Sequence, residues 1–178
     1  MHRLDRQTGG LVVFAKTKRA ASELSAIFAE HRNEKDYIAI LDGVPQKEEG
    51  ELRNILFADK RANKSYVVDR ERKGAREALL SYKILSSSDY KDRNVSLARI
   101  TLKTGRMHQI RAQLSHIGTP ILGDGKYGSR ENGCDVALWS YHLSFSLKDR
   151  KYNFFSFPGV CEFPWALFSQ EIEKLKKL

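Results

Sequence analysis

Cysteine is scarce in this chain, which has only Cys134 and Cys161 among its 178 residues. The spacing of the two cysteines matches no metal-binding or redox motif, which argues against a disulfide framework and a zinc module. No apolar run approaches the length of a membrane span, and no signal peptide is visible. We therefore expect a cytoplasmic protein with free thiols and no membrane partner.

Acidic residues are also in deficit, with 22 Asp and Glu against 31 Lys and Arg, which gives a net charge of +9. The surplus suits a polyanion, because each phosphate contact releases counterions, although many basic proteins bind no nucleic acid. The histidines show no metal-binding arrangement with cysteines or carboxylates, so we expect no metal. The glycine-rich segment 123–128 lacks phosphate-loop spacing, so we expect no ATP site and no other cofactor.

A chain of this length fits one domain with a real hydrophobic core, and we find neither a linker nor an internal repeat. Adjacent strand patterns without regular helical crossovers predict an α+β fold around a mixed, mainly antiparallel sheet flanked by a few helices. The predicted strands cover 11–15, 35–41, 52–57, 65–69, 78–84, 95–102 and 137–147. Helices are predicted after Thr17, within 104–118 and over 163–178.

Two of these elements have a specific pattern. The apolar phase of strand 95–102 changes near Ala98, which indicates a bulge there. In the helix within 104–118, a buried face is predicted for Met107, Ile110, Leu114 and Ile117. Arg111 lies beside that face, so its guanidinium must be partly buried and needs an anion.

The first ten residues place the carboxylate of Asp5 between Arg3 and Arg6, and Thr8, Gly9 and Gly10 follow as a turn. The apolar run 11–15 then predicts a buried strand, which would hold the Asp5 loop against the core. The two cations favour the charged form of Asp5. Such a carboxylate can be a nucleophile, a base or a structural acceptor that pairs with Arg3 or Arg6.

Three segments together resemble the RluA-type family of RNA pseudouridine synthases. They are HRLDRQTGG at 2–10, KDYIAILDG at 35–43 and TGRMHQIRAQLSHIGTPILGDGKYG at 104–128. The resemblance runs from His2 to about Leu147. Gly9 stands where the family usually has serine, but the smaller residue allows the same turn. Relatives also carry tens of residues before the first motif, so we expect residues 1–178 to be a single catalytic domain that is truncated at its N-terminus.

The resemblance implies the pseudouridine synthase fold and isomerisation of uridine to pseudouridine in structured RNA, without a metal or cofactor. Asp5 corresponds to the essential aspartate, Tyr37 to the active-site tyrosine that stacks on the flipped uracil, and Arg111 to the arginine that pairs with the aspartate. Arg3 corresponds to the arginine that enters the RNA stack when the target base leaves it. Arg6, Arg106 and His108 are further RNA-binding candidates, although the last two could instead position the helix.

Ribosomal RNA is the first choice of substrate and transfer RNA the second, and we expect a monomer without a protein partner. An inactive RNA-binding remnant of the same family is the alternative, because loss of the N-terminal strands could expose a sheet edge. A start-site error, in which the true chain is longer, is a further possibility. A nuclease ranks last, since it would need a metal cluster that the sequence does not show.

Overall fold

An eight-stranded sheet organises the computed structural model, which describes residues 3–70 and 72–177. The His2 end of the first motif lies outside the described residues. The strands are β1 (Gly9–Gly10), β2 (Asn33–Leu41), β3 (Glu49–Asp59), β4 (Lys64–Val68), β5 (Ala75–Tyr90), β6 (Arg93–Leu102), β7 (Leu138–Leu147) and β8 (Arg150–Phe155). The helices are α1 (Lys18–Ala29), α2 (Gln109–His116) and α3 (Ser169–Leu175). Within the described ranges, none of these helices is long and apolar enough to cross a membrane.

The strand order is β1-β7-β2-β6-β5-β3-β4, and β8 also pairs with β7. Every pairing is antiparallel except that of β1 with β7, which is parallel. This arrangement confirms the predicted α+β fold with a mixed, mainly antiparallel sheet. The predicted strands within 35–102 are all present, and β3 and β4 form an antiparallel hairpin.

The centre of the sheet forms the main hydrophobic core. Ile38, Ile40 and Leu97 are fully buried there, because β2 and β6 have neighbours on both edges. On β6, residues 95–98 are all buried, so both faces of the strand are covered at this point. The predicted bulge near Ala98 lies on the partner strand instead, since the β5–β6 register shifts between Ile84 and Ser86. The change of apolar phase reflects burial on both faces.

Segment 11–15 is not the regular buried strand that we predicted. The chain leaves the sheet after β1, and Phe14 is 76% exposed. Leu11 and Val13 still pack against the small core between α1 and β7. The physical reason is that β8 pairs with 142–147 on the same edge of β7, so the segment has no strand partner there.

The predicted helices are confirmed in part. Thr17 caps α1, because its side-chain oxygen accepts a hydrogen bond from the N–H of Ala20. Helix α2 is buried on nearly all sides from Gln109 to Leu114, whereas Ile117 follows its last turn and is 36% exposed. The predicted burial is therefore confirmed at Ile110 and Leu114, whereas Met107 precedes the helix and is half-buried, and the prediction was wrong at Ile117.

The C-terminal helix is shorter than predicted. Instead of a helix over 163–178, a 3₁₀ turn over Trp165–Phe168 precedes α3, and Leu178 lies outside the described residues. Phe168 has φ −128°, outside the helical range, and this break separates the 3₁₀ turn from α3. Phe168 and Ile172 remain buried in the main core, as the amphipathic pattern requires.

Candidate active site

Asp5 lies on a tight turn at one end of the sheet. The N–H of Thr8 donates to the carbonyl of Asp5 at 2.9 Å, and β1 then pairs with Trp139 and Ser140. This pairing fixes the loop against β7. The Asp5 side chain is 25% exposed and faces a cleft of about 540 Å³. The cleft is formed by the Asp5 turn, α1, β2 and the start of α2.

The positive groups nearest to the Asp5 carboxylate come from the second motif. Its Oδ2 is 3.7 Å from Nη1 of Arg111 and 4.0 Å from Nε2 of His108. Among the described residues, these are the ion-pair partners of Asp5, whereas pairing with Arg3 or Arg6 was the alternative. The predicted approach of Asp5 and Arg111 is thus present, but as a long contact that leaves the carboxylate accessible from the cleft.

Asp124 is the closer partner of Arg111, and sequence reasoning missed it. Nε of Arg111 donates to Oδ2 of Asp124 at 2.6 Å, and Nη2 donates to Oδ1 at 2.8 Å. The two side chains are 4% and 1% exposed. Burial works against the charge on Arg111, but the hydrogen bonds and charge of Asp124, together with the charge of Asp5, raise its pKa above the ordinary value. Arg111 therefore has two carboxylate neighbours, of which the sequence predicted only Asp5.

The glycine-rich segment that we dismissed as a phosphate loop has a structural role in this site. Gly123 has φ +81°, and a Cβ there would overlap the backbone of Asp135. The carbonyl of Asp124 accepts from the N–H groups of Tyr127 and Ser129 at 3.0 and 3.1 Å. This turn aims the Asp124 carboxylate at Arg111 and buries the Tyr127 ring, which lies 5.0 Å from the Arg111 guanidinium.

His108 links that turn to Asp5. It is 8% exposed and has φ +50° at the start of α2. Its Nδ1 is 3.0 Å from the hydroxyl of Tyr127, which accepts a 2.7 Å hydrogen bond from the N–H of Ser65. Since the phenol oxygen already accepts from Ser65, we expect the phenol proton to point towards Nδ1 and the His108 ring to carry its own proton on Nε2, towards Asp5.

The charge state of this histidine is set by its surroundings. Burial lowers the pKa of His108, and the positive charges of Arg111 and Lys126 act in the same direction, against Asp5 and Asp124. A neutral ring agrees with the tautomer above. The arrangement favours the positioning role foreseen for His108 over a phosphate contact, because both ring nitrogens face protein groups.

Tyr37 and Lys35 reach the same cleft from β2, two residues apart on one face of the strand. Tyr37 is 6% exposed. Burial raises its pKa to about 12, the Ser140 hydroxyl opposes this, and the nearby charge of Asp5 adds to it. The phenol is therefore protonated at neutral pH. Lys35 was not singled out from the sequence, because a lysine before an apolar strand is usually a surface residue.

Of the remaining predicted RNA-binding residues, two line the cleft and one does not. Arg3 and Arg106 are exposed and line the cleft, and Nε of Arg106 donates to the carbonyl of Glu77 at 2.9 Å. Arg6 is exposed on the turn but is not part of the cleft wall. In the described part of the chain, no group of histidines, cysteines and carboxylates could hold a metal ion. Cys134 and Cys161 are both free thiols, as predicted.

Comparison with known proteins shows the family to which this chain belongs. The family model described as RNA pseudouridylate synthase matches residues 1–116. The chain is 37% identical over 131 residues to a ribosomal large subunit pseudouridine synthase C of Rickettsia conorii, which covers 74% of this chain and 42% of that protein. It is 39% identical over 137 residues to a tRNA pseudouridine synthase C of Vibrio parahaemolyticus, covering 72% and 54%.

The chain belongs to the RNA pseudouridylate synthase family. It spans about half the length of the curated relatives that it matches, with shares between 42% and 54%. A solved structure titled human RNA pseudouridylate synthase domain containing 1 has the same fold, with a TM-score of 0.82 over 99% of this chain and 79% of that one. The sequence identity to that structure is 24%, so this likeness speaks for the fold alone.

Proposed function

We propose that residues 1–178 act as one catalytic domain that isomerises uridine to pseudouridine in structured RNA. In this reaction the bond between N1 of uracil and C1′ of ribose breaks, the base rotates, and C5 bonds to C1′. The proton on C5 is lost and N1 gains one, so nothing is oxidised or reduced. The reaction needs a positioned carboxylate and a site for an extruded base, but no metal or cofactor.

The observation that carries this proposal is the environment of Asp5. Its carboxylate faces a cleft that admits a nucleoside, while Arg111 stands 3.7 Å away and is itself held by Asp124. Since Asp124 takes the short hydrogen bonds of the guanidinium, Asp5 keeps a nearby positive charge without being bound in a tight ion pair. In our proposal Asp5 is the essential group, acting either by attack on C1′ or by abstraction of a sugar proton.

The other cleft residues fit the handling of an extruded base. Tyr37 presents a protonated phenol on the buried wall, where it can stack on uracil and take part in proton transfer. Arg3 is exposed at the same cleft and can stack in the vacancy that the base leaves in the RNA. Arg106 and the net charge of +9 suit the phosphate backbone.

We propose ribosomal RNA as the first substrate to test and transfer RNA as the second. The names of relatives support both: matches include ribosomal large subunit enzymes from Rickettsia conorii and Borreliella burgdorferi and a tRNA enzyme from Vibrio parahaemolyticus. We place the enzyme in the cytoplasm as a monomer, since the charge and cysteine content suit an RNA-modifying protein with free thiols.

The direct experiment is to incubate the purified chain with unmodified ribosomal and transfer RNA transcripts. Pseudouridine is then measured by nucleoside chromatography after complete digestion. We expect time-dependent formation of pseudouridine at few positions in one RNA class. Binding of RNA without pseudouridine in either class would favour the inactive RNA-binding alternative and contradict the proposal.

A further inference from the structure

Lys35 is a buried lysine that faces the cleft. It is 8% exposed, and its position on β2 sends its side chain to the same face as that of Tyr37. At about 3.3 Å per residue, the two side chains leave the strand about 6.6 Å apart. Lys35 also lines the cleft that contains Asp5. A ligand next to Tyr37 is therefore within reach of the lysine.

Among residues 3–70 and 72–177, no group forms a hydrogen bond or an ion pair with the ammonium group of Lys35. Glu34 and Asp36 point to the opposite face, where Glu34 accepts from Ser144 and Asp36 accepts from Thr101 and contacts His142. Burial accordingly lowers the pKa of Lys35. Because the Lys35 side chain is mostly removed from water and has no anionic partner among the described residues, an anion that enters the cleft would stabilise its charge.

The surroundings of Lys35 favour an anionic ligand. Gly105 lies beside it, and a Cβ on that glycine would come within 3.3 Å of Nζ, so glycine keeps this side of the ammonium group open. Arg3 and Arg106 line the same cleft, and Asp5 is the carboxylate among the lining residues that the structure describes. The described residues that line the cleft therefore carry more positive than negative charge.

We propose that Nζ of Lys35 binds a phosphodiester oxygen of the RNA strand next to the nucleotide whose base contacts Tyr37. The inference rests on the proposed function, because it assumes that RNA enters this cleft. Binding of the phosphate compensates the buried charge and fixes the strand along β2. The ribose is thereby held at Asp5 while the base packs against the Tyr37 ring.

The test compares Lys35→Met with Lys83→Met, which removes the same charge from a lysine that is 56% exposed and pairs with Glu49 outside the cleft. Affinity for a substrate RNA is measured at several salt concentrations, and stability by denaturant melts. We expect Lys35→Met to bind about tenfold more weakly and to lose about one unit of the salt slope. We also expect its unfolding midpoint to rise, because an unpaired buried charge is gone.

Lys83→Met should change neither the affinity nor the unfolding midpoint by a comparable amount. Lys35→Gln is the second variant in case the methionine side chain perturbs folding, and it should show the same loss of salt slope. Equal binding by the Lys35 and Lys83 variants, or weaker binding with an unchanged slope, would overturn the phosphate site. If the wild-type protein still forms pseudouridine in that case, the proposed function is retained and only the phosphate site is rejected. Failure of wild type to bind RNA at all would overturn both proposals.

Discussion

The guanidinium of Arg111 makes its two short hydrogen bonds to Asp124, at 2.6 and 2.8 Å, and only a 3.7 Å contact with Asp5. Two carboxylates therefore share one buried arginine unequally. Asp124 fixes the position of the guanidinium, and Asp5 lies near its charge with room for a ligand.

The first prediction concerns the coupling of Arg111 with its two partners. Removing one member of a buried ion pair typically costs about 3–5 kcal/mol, because the other charge stays buried without a partner. We expect Arg111→Met and Asp124→Asn each to lower the free energy of unfolding strongly, and the double variant to recover part of that loss. Arg111→Met with Asp5→Asn should show a smaller coupling, since their contact is longer and Asp5 is 25% exposed.

Double-mutant cycles read from denaturant melts measure both couplings. Arg111→Lys serves as the intermediate variant, because it keeps the charge and loses the bidentate geometry. Coupling with Asp5 as large as that with Asp124 would contradict the unequal sharing. Additive losses for Arg111 and Asp124 would mean that the pair does not form in solution.

The second prediction concerns the proton on His108. The Tyr127 hydroxyl accepts from Ser65 N–H and lies 3.0 Å from Nδ1 of His108, which we assign as the acceptor of the phenol proton. We therefore expect His108 to be neutral at pH 7, with its proton on Nε2, since burial lowers its pKa. Tyr127→Phe should remove the preference for this tautomer. It should also lower the free energy of unfolding by about 1–3 kcal/mol, because the buried N–H of Ser65 loses its acceptor.

Nitrogen-15 NMR of the histidine rings distinguishes the tautomers, and the His108→Gln spectrum assigns the signal. His116 is exposed at the end of α2 and serves as the reference ring. A His108 ring that is protonated on Nδ1 at pH 7 would contradict the hydrogen-bond assignment.

The third prediction concerns Gly9, where relatives usually have serine. In this chain a Cβ at position 9 would overlap the Trp139 ring, which packs against the main core. We expect Gly9→Ser to lower the free energy of unfolding by about 1–3 kcal/mol, the usual cost of overpacking. Trp139→Val should remove the overlap, so Gly9→Ser should cost less in that background. An equal cost in both backgrounds, measured by thermal melts, would count against the contact.

How far the sequence predicts this site depends on the kind of contact involved. The strands and α1 follow from local periodicity, and the need of Arg111 for an anion follows from its place on an apolar helix. Asp124 could not be assigned as that anion from the sequence. The orientation of its carboxylate depends on the turn at Gly123 and on the packing of α2 against that turn. The signal that could have identified it was the acidic residue inside an otherwise glycine-rich segment of the second motif.

Two errors have the same origin, since each arose from reading a segment without its neighbours. Segment 11–15 has the composition of a strand, but β8 occupies the edge of β7 that it would need. Ile117 fits the helical period of α2, but it follows the last turn and is exposed. Lys35 was overlooked for a related reason, because its surroundings include segments distant in sequence, such as the one at Gly105.

The fourth prediction concerns the binding of RNA. With a net charge of +9 and basic residues at the cleft, affinity should fall steeply as salt rises, because phosphate contacts release counterions. Activity should be insensitive to EDTA. Filter-binding titrations between low and moderate salt, with activity assays with and without chelator, provide the measurement. Flat affinity, or activity that EDTA removes and added metal restores, would contradict the account.

The central claim is that Asp5 is the essential group, and Asp5→Asn tests it most directly. The amide has nearly the same shape and lacks the negative charge, so folding and RNA binding should stay close to wild type. Asp69→Asn, on an exposed residue after β4, is the matched control. Pseudouridine formed in a substrate RNA should be undetectable with Asp5→Asn and normal with Asp69→Asn. Pseudouridine formation by Asp5→Asn near the wild-type rate would contradict the account.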